Sequence, residues 1–389
     1  MRVLHVIPSV APRYGGPSQA IFTTCRSLSE KRIDVCIATT DADGDGELAV
    51  PIGELIKYRD IQTIFFHRQW SESLKYSSHL AKWVEAHVDK FNLVHIHAVF
   101  SHACITTAKA CRKRKIPYLV RPLGTLDPWS LRQKPFRKQL FWHLGVKQML
   151  AGADAIHYTT EEERRLVESG LGVKNGVVVP NGLDLSFDAG GKEESGVGLA
   201  EVGEDPYIVA LSRIHPKKGF ELLIEALSSL RDMGRFREWR LVIAGDGEPD
   251  YVATLKRFIA NRGMSDIVHF VGWLAGDRKA AALRGASLLA MPSYQENFGN
   301  SLIEGMAFGV PVLVSTHVNL APEIEAADAG WIAQLNLESL ADRLAEALSQ
   351  ERERKRRGEC GRELAAQYEA SVVADKLIAL YQSILSRRP

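Results

Sequence analysis

The sequence lacks the long apolar runs that a membrane-spanning protein needs. No stretch of its 389 residues approaches the roughly 20 consecutive apolar positions of a transmembrane helix. The apolar run at the amino terminus, which ends at Ile7, is also too short for a secretory signal peptide. We therefore expect a cytoplasmic protein that is still able to lie on the inner face of a membrane.

Cysteine is scarce and scattered. The five cysteines show no C-x-x-C spacing; they are Cys25, Cys36, Cys104, Cys111 and Cys360. An odd, scattered set is typical of free thiols in a reducing compartment, and it argues against a disulfide framework or a zinc site.

A strong charge of one sign is also missing, as are two ligand motifs. The formal net charge is only +2, so the total gives no indication of nucleic-acid binding. The dinucleotide fingerprint G-x-G-x-x-G is absent. The D-x-D sequence Asp41-Ala42-Asp43 opens a polar excursion instead of ending a strand at a ligand edge. We therefore expect neither a metal nor a cofactor.

What the chain does contain is an alternation of strand-like and helix-like segments that occurs twice. The first run starts with a buried-strand pattern at Arg2–Ile7, and a second run starts at Tyr207 after a stretch rich in Gly, Glu and Ser. A chain of this length exceeds one ordinary core. The pattern predicts an α/β protein with two facing, doubly wound Rossmann-like domains and a cleft between them. The predicted domains are 1–186 and 205–369, with a linker at 187–204.

The stretch from Pro292 to Ser315 carries the clearest ligand signal. A polar loop passes into a short helical pattern, and Glu296 and Glu304 frame the turn with seven residues between them. A helix amino terminus after Gly299 would offer free amides and the positive end of the dipole to an anion. Together with two carboxylates, this arrangement suits a sugar nucleotide. The alternative for Glu304, placed in the first helical turn, is a capping or dipole role.

Two cations flank the loop after the first strand of the second domain. Arg213 and Lys218 would together neutralise a diphosphate at the end of that strand. Either alone is more simply a surface charge. We expect the neighbouring Lys217 to face solvent.

The first domain offers weaker signals at the ends of its strands. His95 and His97 alternate along one strand and so share a face, which indicates either a site or a hydrogen-bonded pair. Gly16 lies in a Gly-Gly loop where the backbone could approach a ligand, although a tight turn explains it equally well. Arg121 and Gly124 follow a later strand and are candidates for lining an acceptor cleft.

A strongly basic segment lies in the middle of the first domain. Residues 101–150 hold eleven Lys and Arg against the single acid Asp127, with Trp129, Phe136, Phe141 and Trp142 interleaved. Such a segment can bind an anionic membrane, so a peripheral membrane contact through 109–147 is one of two interpretations. The alternative is a solvated basic face over packed aromatic residues.

With these motifs in place, the chain resembles the retaining GT-B glycosyltransferases of family 4, the glycosyl transferases group 1. The matching residues are Ser212-Arg213-x4-Lys218-Gly219, Gly245-Asp246-Gly247, Glu296-x7-Glu304 with Phe298-Gly299, and Gly309-Val310-Pro311-Val312. Looser matches in the first half are Gly15-Gly16, His95-Ile96-His97 and Pro180-Asn181-Gly182-Leu183-Asp184.

The resemblance implies a role for each half of the chain and for individual residues. The first domain would bind the acceptor and be completed by a carboxy-terminal helix near 370–389, and the second would bind the donor. The implied catalytic residues are Glu296, on the sugar hydroxyls; His97, near the sugar 6-hydroxyl; and Arg213 and Lys218, on the diphosphate. The other implied donor contacts are Gly16, Gly245, Val271, Gly272, Trp273, Asn297, Phe298, Gly299, Asn300, Ser301, Leu302 and the ribose ligand Glu304. The acceptor-side candidates are Arg121, Gly124 and Asn181.

The activity that this resemblance implies is a metal-independent, retaining transfer of a hexose to a saccharide or lipid-linked saccharide. UDP-glucose is the favoured donor, and GDP-mannose is the alternative. No residue stands out as the nucleophile of a double displacement, so retention comes from the resemblance alone. A phosphorylase would need a pyridoxal-phosphate lysine and a longer chain. A non-catalytic sugar-nucleotide-binding protein is the remaining alternative.

Overall fold

The computed structural model describes residues 1–133, 135–185, 199, 203 and 205–387. Its strands are β1 (Arg2–Ser9), β2 (Asp34–Thr40), β3 (Ala42–Asp43), β4 (Gly46–Glu47), β5 (Leu55–Tyr58), β6 (Ile61–Phe66), β7 (Leu93–His97), β8 (Tyr118–Arg121), β9 (Ala155–Tyr158), β10 (Gly176–Val178), β11 (Tyr207–Leu211), β12 (Arg240–Ala244), β13 (Val268–Gly272), β14 (Leu288–Met291), β15 (Val312–Ser315) and β16 (Gly330–Ala333).

The α-helices complete the alternation. They are α1 (Gly16–Glu30), α2 (Ser78–His87), α3 (His102–Arg114), α4 (Pro128–Arg132), α5 (Pro135–Phe141), α6 (Lys147–Ala151), α7 (Glu161–Leu171), α8 (Phe220–Asp232), α9 (Pro249–Asn261), α10 (Gly276–Arg284), α11 (Asn300–Ala307), α12 (Ala321–Ala326), α13 (Leu337–Ser349), α14 (Glu351–Ala366) and α15 (Ala370–Ser386).

The chain divides into two compact units. The first comprises Met1–Leu183 and returns at Ala370, and the second comprises Asp184–Glu369. The predicted linker, 187–204, lies outside the described residues except for Leu199 and Gly203.

The first unit is built on an eight-stranded sheet in the order β10-β9-β8-β7-β1-β2-β6-β5. All its strand pairs are parallel except β5 with β6. The strands read as continuous apolar runs because helices cover both faces. Leu4 and Val6 of β1 belong to a core with side chains of α2 and α3. Val3 and Ile7, on the opposite face, belong to a core with side chains of α1 and α15.

The second unit holds a six-stranded, entirely parallel sheet in the order β13-β12-β11-β14-β15-β16. The strand order reverses between β11 and β14, as it does between β1 and β7 in the first unit. In open parallel sheets, ligands bind at the carboxyl ends of the strands at such a switch point. The predicted α/β class with two doubly wound sheets is confirmed.

Three strands, β3, β4 and β5, and several short helices were not predicted. β5 is a partly exposed edge strand that joins β6 through Arg59 and Asp60, whose φ values are 48° and 69°. This two-residue turn has positive φ at both positions but contains no glycine, so the usual hairpin signal is absent. Among the described residues, no helix is both long and apolar enough to span a membrane.

Candidate functional site

The switch point of the second unit brings together the charged residues that the sequence singled out. The loop after β11 ends in a short 3₁₀ helix, Pro216–Lys218, and the loop after β14 leads into α11. Lys218 Nζ donates a hydrogen bond to the Glu296 carboxylate. The two side chains are 9% and 15% exposed, so this ion pair is largely shielded from water. Residues 78 positions apart in sequence therefore form one charged group.

The backbone fixes Glu296 in place. Its N–H donates to His317 O at 3.2 Å, and its carbonyl accepts from Asn319 N at 2.9 Å. Burial raises the pKa of the Glu296 carboxyl, but Lys218 and the other nearby cations outweigh burial and hold this pKa below its usual value. Glu296 is thus an ionised carboxylate, suited to accepting hydrogen bonds from sugar hydroxyls.

The two cations beside Lys218 differ from each other. Arg213 is exposed, and it has no side-chain hydrogen bond or ion pair within the part of the chain that the structure describes. Its guanidinium is therefore available to an anion. The expectation that Lys217 faces solvent is wrong: this side chain is partly buried, and its Nζ lies 3.5 Å from Gln295 Oε1.

The amino terminus of α11 has the geometry of an anion site. Gly299 precedes the helix with φ 81°, and a Cβ there would lie 2.8 Å from Leu302 Cδ1. Glycine is therefore needed at this turn. The side chains of Phe298 and Leu302 are buried, and the Leu302 N–H already donates to Gly299 O at 2.8 Å, so Leu302 has no free donor for a ligand here. Asn297, Asn300 and Ser301 are partly exposed at the same turn.

Glu304 is the fifth residue of α11 and lies beyond its first turn, which contains no acidic residue. The predicted position of Glu304 in the first turn is wrong. The alternative of a capping or dipole role is wrong as well, because dipole effects fade beyond that turn. Lys279 of α10 instead donates a hydrogen bond to Glu304 Oε1 at 2.5 Å. Their side chains are 22% and 16% exposed. No sequence motif pointed to Lys279.

A cavity of about 510 Å³ opens at the carboxyl ends of β11, β12 and β13. It is lined by Ile214, Gly245, Asp246, Gly247, Pro249, Val252, Ala253, Lys256, Phe270 and Gly272. Gly245 adopts φ 145°, and a Cβ there would lie 1.9 Å from Ser212 O. Among the donor contacts predicted at 271–273, Gly272 lines this cavity, whereas Val271 is buried and Trp273 is exposed outside the lining. Phe270 and Lys256 were missed; the Gly-Asp-Gly turn was the only pointer to them.

The first unit fills its switch point with buried histidines. His97 and His5, from neighbouring strands, lie 3.0 Å apart through Nε2 and Nδ1. His95 bonds both Tyr381 of α15, at 2.8 Å, and His157, at 3.1 Å. All four imidazoles are almost fully buried. The prediction of two histidines on one face is right, and their role is a hydrogen-bonded polar core.

The protonation state of this cluster follows from its geometry. Burial, together with the nearby Arg121, lowers the pKa of His5 and of His157 to about 3, so the rings are neutral. Val179 O can only accept, so His157 Nε2 carries the proton and its Nδ1 accepts. His95 Nε2 must then donate to His157, and His95 Nδ1 accepts from the Tyr381 hydroxyl. This chain of bonds attaches α15 to the sheet.

Three predicted site residues lie inside this polar core. His97 is 1% exposed, so its side chain does not reach a donor sugar in this structure. Arg121 is 4% exposed and donates to Asn181 Oδ1, and burial lowers its pKa to about 10. Gly124 is buried, and its N–H donates to Glu163 Oε1 at 2.9 Å. Hydrogen bonds within the chain thus use the Gly124 N–H and part of the Arg121 guanidinium, whereas Arg121 Nε is buried without a partner among the described residues.

The other two candidates keep some exposure. Asn181 is partly exposed. Gly16 is exposed at the start of α1, beside Gly15 with φ 73°. Its amide-bearing turn at the end of β1 matches the expected approach to phosphates, which stays a prediction.

Two groups among the described residues have ligand atoms close enough to hold a metal: His5 with His95 and His97, and Asp41 with Glu47 and His67. Internal hydrogen bonds already use several of these atoms, but His5 Nε2 has no hydrogen-bond partner among the described residues. His95 uses both ring nitrogens, as described above. Asp41 accepts from His67 Nδ1 at 3.0 Å and from Arg68 N at 2.7 Å.

Comparisons with known proteins identify the family of both halves of the chain. Residues 14–187 match the family model described as Glycosyltransferase Family 4, and residues 192–364 match the one described as Glycosyl transferases group 1. The D-inositol 3-phosphate glycosyltransferase of Nocardia farcinica (strain IFM 10152) is 30% identical over 63% of this chain and 55% of its own length.

A second relative is the GDP-mannose-dependent alpha-(1-6)-phosphatidylinositol monomannoside mannosyltransferase of Mycobacterium tuberculosis (strain CDC 1551 / Oshkosh). It is 32% identical over 45% of this chain and 47% of its own length. The chain thus spans about half the length of these curated relatives.

Among solved structures, Anabaena HepE in complex with UDP and glucose superimposes with a TM-score of 0.75 at 18% identity, covering 98% of this chain and 100% of that chain. At this identity the likeness shows the fold alone, which is GT-B. With both family models matched, the chain belongs to glycosyltransferase family 4, the glycosyl transferases group 1.

Proposed function

We propose that this protein transfers a hexose from a nucleotide diphosphate sugar to a saccharide or lipid-linked saccharide. The observation that carries the proposal is the pairing of Lys218 with Glu296 at the switch point, beside the exposed Arg213 and the 510 Å³ cavity. The cations suit a diphosphate, the carboxylate suits sugar hydroxyls, and the cavity suits a base. The three parts of a sugar nucleotide thus each have a matching feature within one unit.

In the proposed reaction, the bond between the sugar anomeric carbon and the β-phosphate oxygen breaks. A bond to the acceptor hydroxyl oxygen forms on the same face, and the acceptor proton passes to the departing phosphate. Negative charge grows on that phosphate, where Arg213, Lys218 and the first amides of α11 stabilise it. Glu296 holds the sugar hydroxyls, and Glu304 holds the ribose. We further propose that these side chains act without a metal or cofactor, and that the anomeric configuration is retained.

For the donor we propose UDP-glucose, with GDP-mannose as the second candidate. The fold neighbour HepE was solved with UDP and glucose, whereas one curated relative is named for GDP-mannose. No described side chain selects one base over the other.

A panel of nucleotide sugars, scored for nucleotide release with and without saccharide acceptors, tests the proposal. Wild type should release nucleotide from one donor, and Glu296→Ala should lose that release while still binding free nucleotide. Silence with every donor would remove the enzymatic function and leave a sugar-nucleotide-binding protein.

We also propose that the reaction takes place at the cytoplasmic face of a membrane that the basic segment 109–147 contacts. Phe136, Leu140 and Leu144 are 86%, 57% and 65% exposed and recur at helical spacing. Exposed basic residues, including Arg132, Arg137 and Lys147, flank them. By contrast, Phe141 and Trp142 pack against the core. The segment thus combines apolar insertion with attraction to anionic lipid.

Flotation with phosphatidylglycerol or phosphatidylcholine vesicles, at low and high salt, tests this contact. Phe136→Ser with Leu140→Ser should reduce flotation on anionic vesicles, whereas the matched control Met233→Ser, at a residue 71% exposed in the second unit, should not. Equal flotation of all variants would contradict the contact. If wild type no longer binds vesicles at high salt, the membrane contact depends on charge alone.

A further inference from the structure

The loop after β6, residues 67–77, carries an aromatic pair made of the exposed Trp70 and the partly buried Tyr76. Trp70 is 61% exposed. It is joined to Tyr76 by an isolated antiparallel bridge, with ring centroids 5.4 Å apart. On its other side, the Tyr76 ring lies 4.2 Å from the ring of His102, at the start of α3. An indole is thus held at the surface and backed by two further rings.

Hydrogen bonds and backbone conformation hold this loop rigid. Gln69 N donates to Tyr76 O at 2.9 Å, and His102 N donates to Leu74 O at 3.0 Å. Ser71 and Lys75 adopt φ values of 54° and 48°. Residues other than glycine rarely occupy this region, and they persist there when surrounding contacts impose it. The aromatic pair is therefore held in position before any ligand arrives.

The same loop carries hydrogen-bonding side chains that are tied to Tyr14 and to α5. The Glu72 carboxylate accepts from the Tyr14 hydroxyl, from Lys75 and from Arg68. Burial and the bond to Glu72 raise the pKa of Tyr14 to about 12, so its hydroxyl stays protonated. From α5, Arg137 donates to Ser73 Oγ at 2.7 Å, which ties the basic segment to the loop.

The position of the loop also favours a ligand. It follows the carboxyl end of β6, while Tyr14 follows β1 and His102 follows β7. These strands end at the edge of the parallel sheet where ligands bind. A flat apolar ring bordered by convergent polar groups is the composition of a small-ligand site. A pyranose ring matches it, because its C–H face is apolar and its hydroxyls point outward.

We propose that Trp70 and Tyr76 form the binding site for an acceptor saccharide that carries a phosphate. The pyranose stacks on Trp70, its hydroxyls bond the side chains of Ser71 and Glu72, and Arg137 binds the phosphate. The assignment as acceptor rests on the proposed function. A free sugar phosphate and a sugar joined through phosphate to a lipid share this chemistry.

Saturation-transfer NMR with methyl hexopyranosides and hexose 1-phosphates tests the site directly. Wild type should bind at least one hexose 1-phosphate more tightly than the matching methyl hexoside. Trp70→Ala should lose both, Trp70→Phe should keep part of the binding, and Arg137→Gln should lose only the preference for phosphate. The matched control Leu55→Ala, at a residue 52% exposed on β5, should bind like wild type.

Failure to bind any sugar, or equal binding by wild type and Trp70→Ala, would overturn the proposal. UDP affinity measured on the same variants should be unchanged, which separates this site from the donor site. If wild type releases nucleotide from no donor, the proposed function fails while the NMR result still decides the site. Competition by a polyprenyl-phosphate-linked sugar in vesicles identifies a lipid carrier, and competition by hexose 1-phosphate alone identifies a free one.

Discussion

The two units place different kinds of polar residue at the same reversal of strand order: the second unit has charged side chains there, and the first has neutral histidines. At the switch between β11 and β14, Lys218 and Glu296 form an ion pair whose side chains are 9% and 15% exposed, and Arg213 beside them is exposed. At the switch between β1 and β7, four buried histidines are neutral and bond to one another. Both sheets place polar residues where a ligand is expected, but only the second unit leaves their charges accessible.

The difference lies in what each site can exchange with a ligand. In the Lys218–Glu296 ion pair, Lys218 can leave the carboxylate and bind a diphosphate. The carboxylate can then accept hydrogen bonds from sugar hydroxyls, so neither charge is left without a partner. The buried, neutral His95 already uses both ring nitrogens, so it gains nothing from a ligand and loses a hydrogen bond when it turns outward. The first unit therefore presents recognition groups on loops such as 67–77 and keeps its switch point as core.

Lys218→Ala gives the largest expected effect. It removes the buried cation from the diphosphate and leaves Glu296 without its ion-pair partner, so nucleotide-sugar turnover should fall about 100- to 1000-fold. Turnover of the best donor is the measurement. Lys217→Ala is the matched control at the adjacent residue, and its loss should stay within about threefold. Equal losses for the two variants would show that net charge, rather than the Lys218 pair, supports the reaction.

Acid should destabilise the first unit through its histidines. The folded-state pKa of His5 and of His157 is lowered from 6.5 to about 3, so the unfolded chain binds more protons between these values. The contribution of these two histidines to the free energy of unfolding is therefore fully present above pH 6.5. It is lost as pH falls towards 3, by up to about 1.4 kcal/mol per pH unit for each histidine. Hydrogen exchange across this range should show β1 and β7 opening before β11.

His157→Gln sharpens the acid prediction. Removing one buried imidazole should reduce the slope of unfolding free energy against pH, whatever the variant does to stability at neutral pH. His143, an exposed histidine of the first unit, provides the control, since His143→Gln should leave the slope unchanged. An unchanged slope in His157→Gln would mean that this imidazole binds protons equally in the folded and unfolded chains.

Glu296→Gln should tighten binding of free UDP by about tenfold, which corresponds to about 1.4 kcal/mol. In the ligand-free protein Lys218 is bound to Glu296, so the diphosphate must compete for it. The neutral amide keeps the shape and removes the competitor. Titration calorimetry with UDP measures the change, with Glu304→Gln as a control that should weaken binding. Weaker UDP binding by Glu296→Gln would move this residue from the sugar to the nucleotide.

The fold and the charged residues of the second unit could be predicted from the sequence, because both follow from the order of strands, loops and helices along the chain. Strand-loop-helix patterns locate Arg213, Lys218 and Glu296 at the ends of parallel strands, and parallel strands bring those ends together. The burial of His97, Arg121 and Gly124 could not be predicted, since it depends on α15 returning to the first unit with Tyr381. A histidine at a strand end looks the same in sequence whether it faces a ligand or a helix.

Contacts between single side chains of elements that are distant in sequence could not be predicted either. Trp70 is one of seven tryptophans, and nothing in its sequence neighbourhood marks it as exposed. Lys256 and Phe270 line the cavity only because β12 and β13 are neighbours in the sheet. Lys279 looks like any lysine of an amphipathic helix until α10 is placed beside α11.

Lys279→Met gives the smallest expected effect and tests how finely the second unit tunes its charges. Lys279 holds Glu304 Oε1 at 2.5 Å and leaves Oε2 for a ribose hydroxyl. Without it the carboxylate is less well oriented, so UDP affinity should fall by at most about fivefold, the range of a partly exposed ion pair. Pyrophosphate, which has no ribose, should bind Lys279→Met and wild type equally, and 2′,3′-dideoxy-UDP should show no loss on substitution. If pyrophosphate weakens as much as UDP, Lys279 acts through its charge on the phosphates, and the second unit would then bind its anion with three cations rather than two.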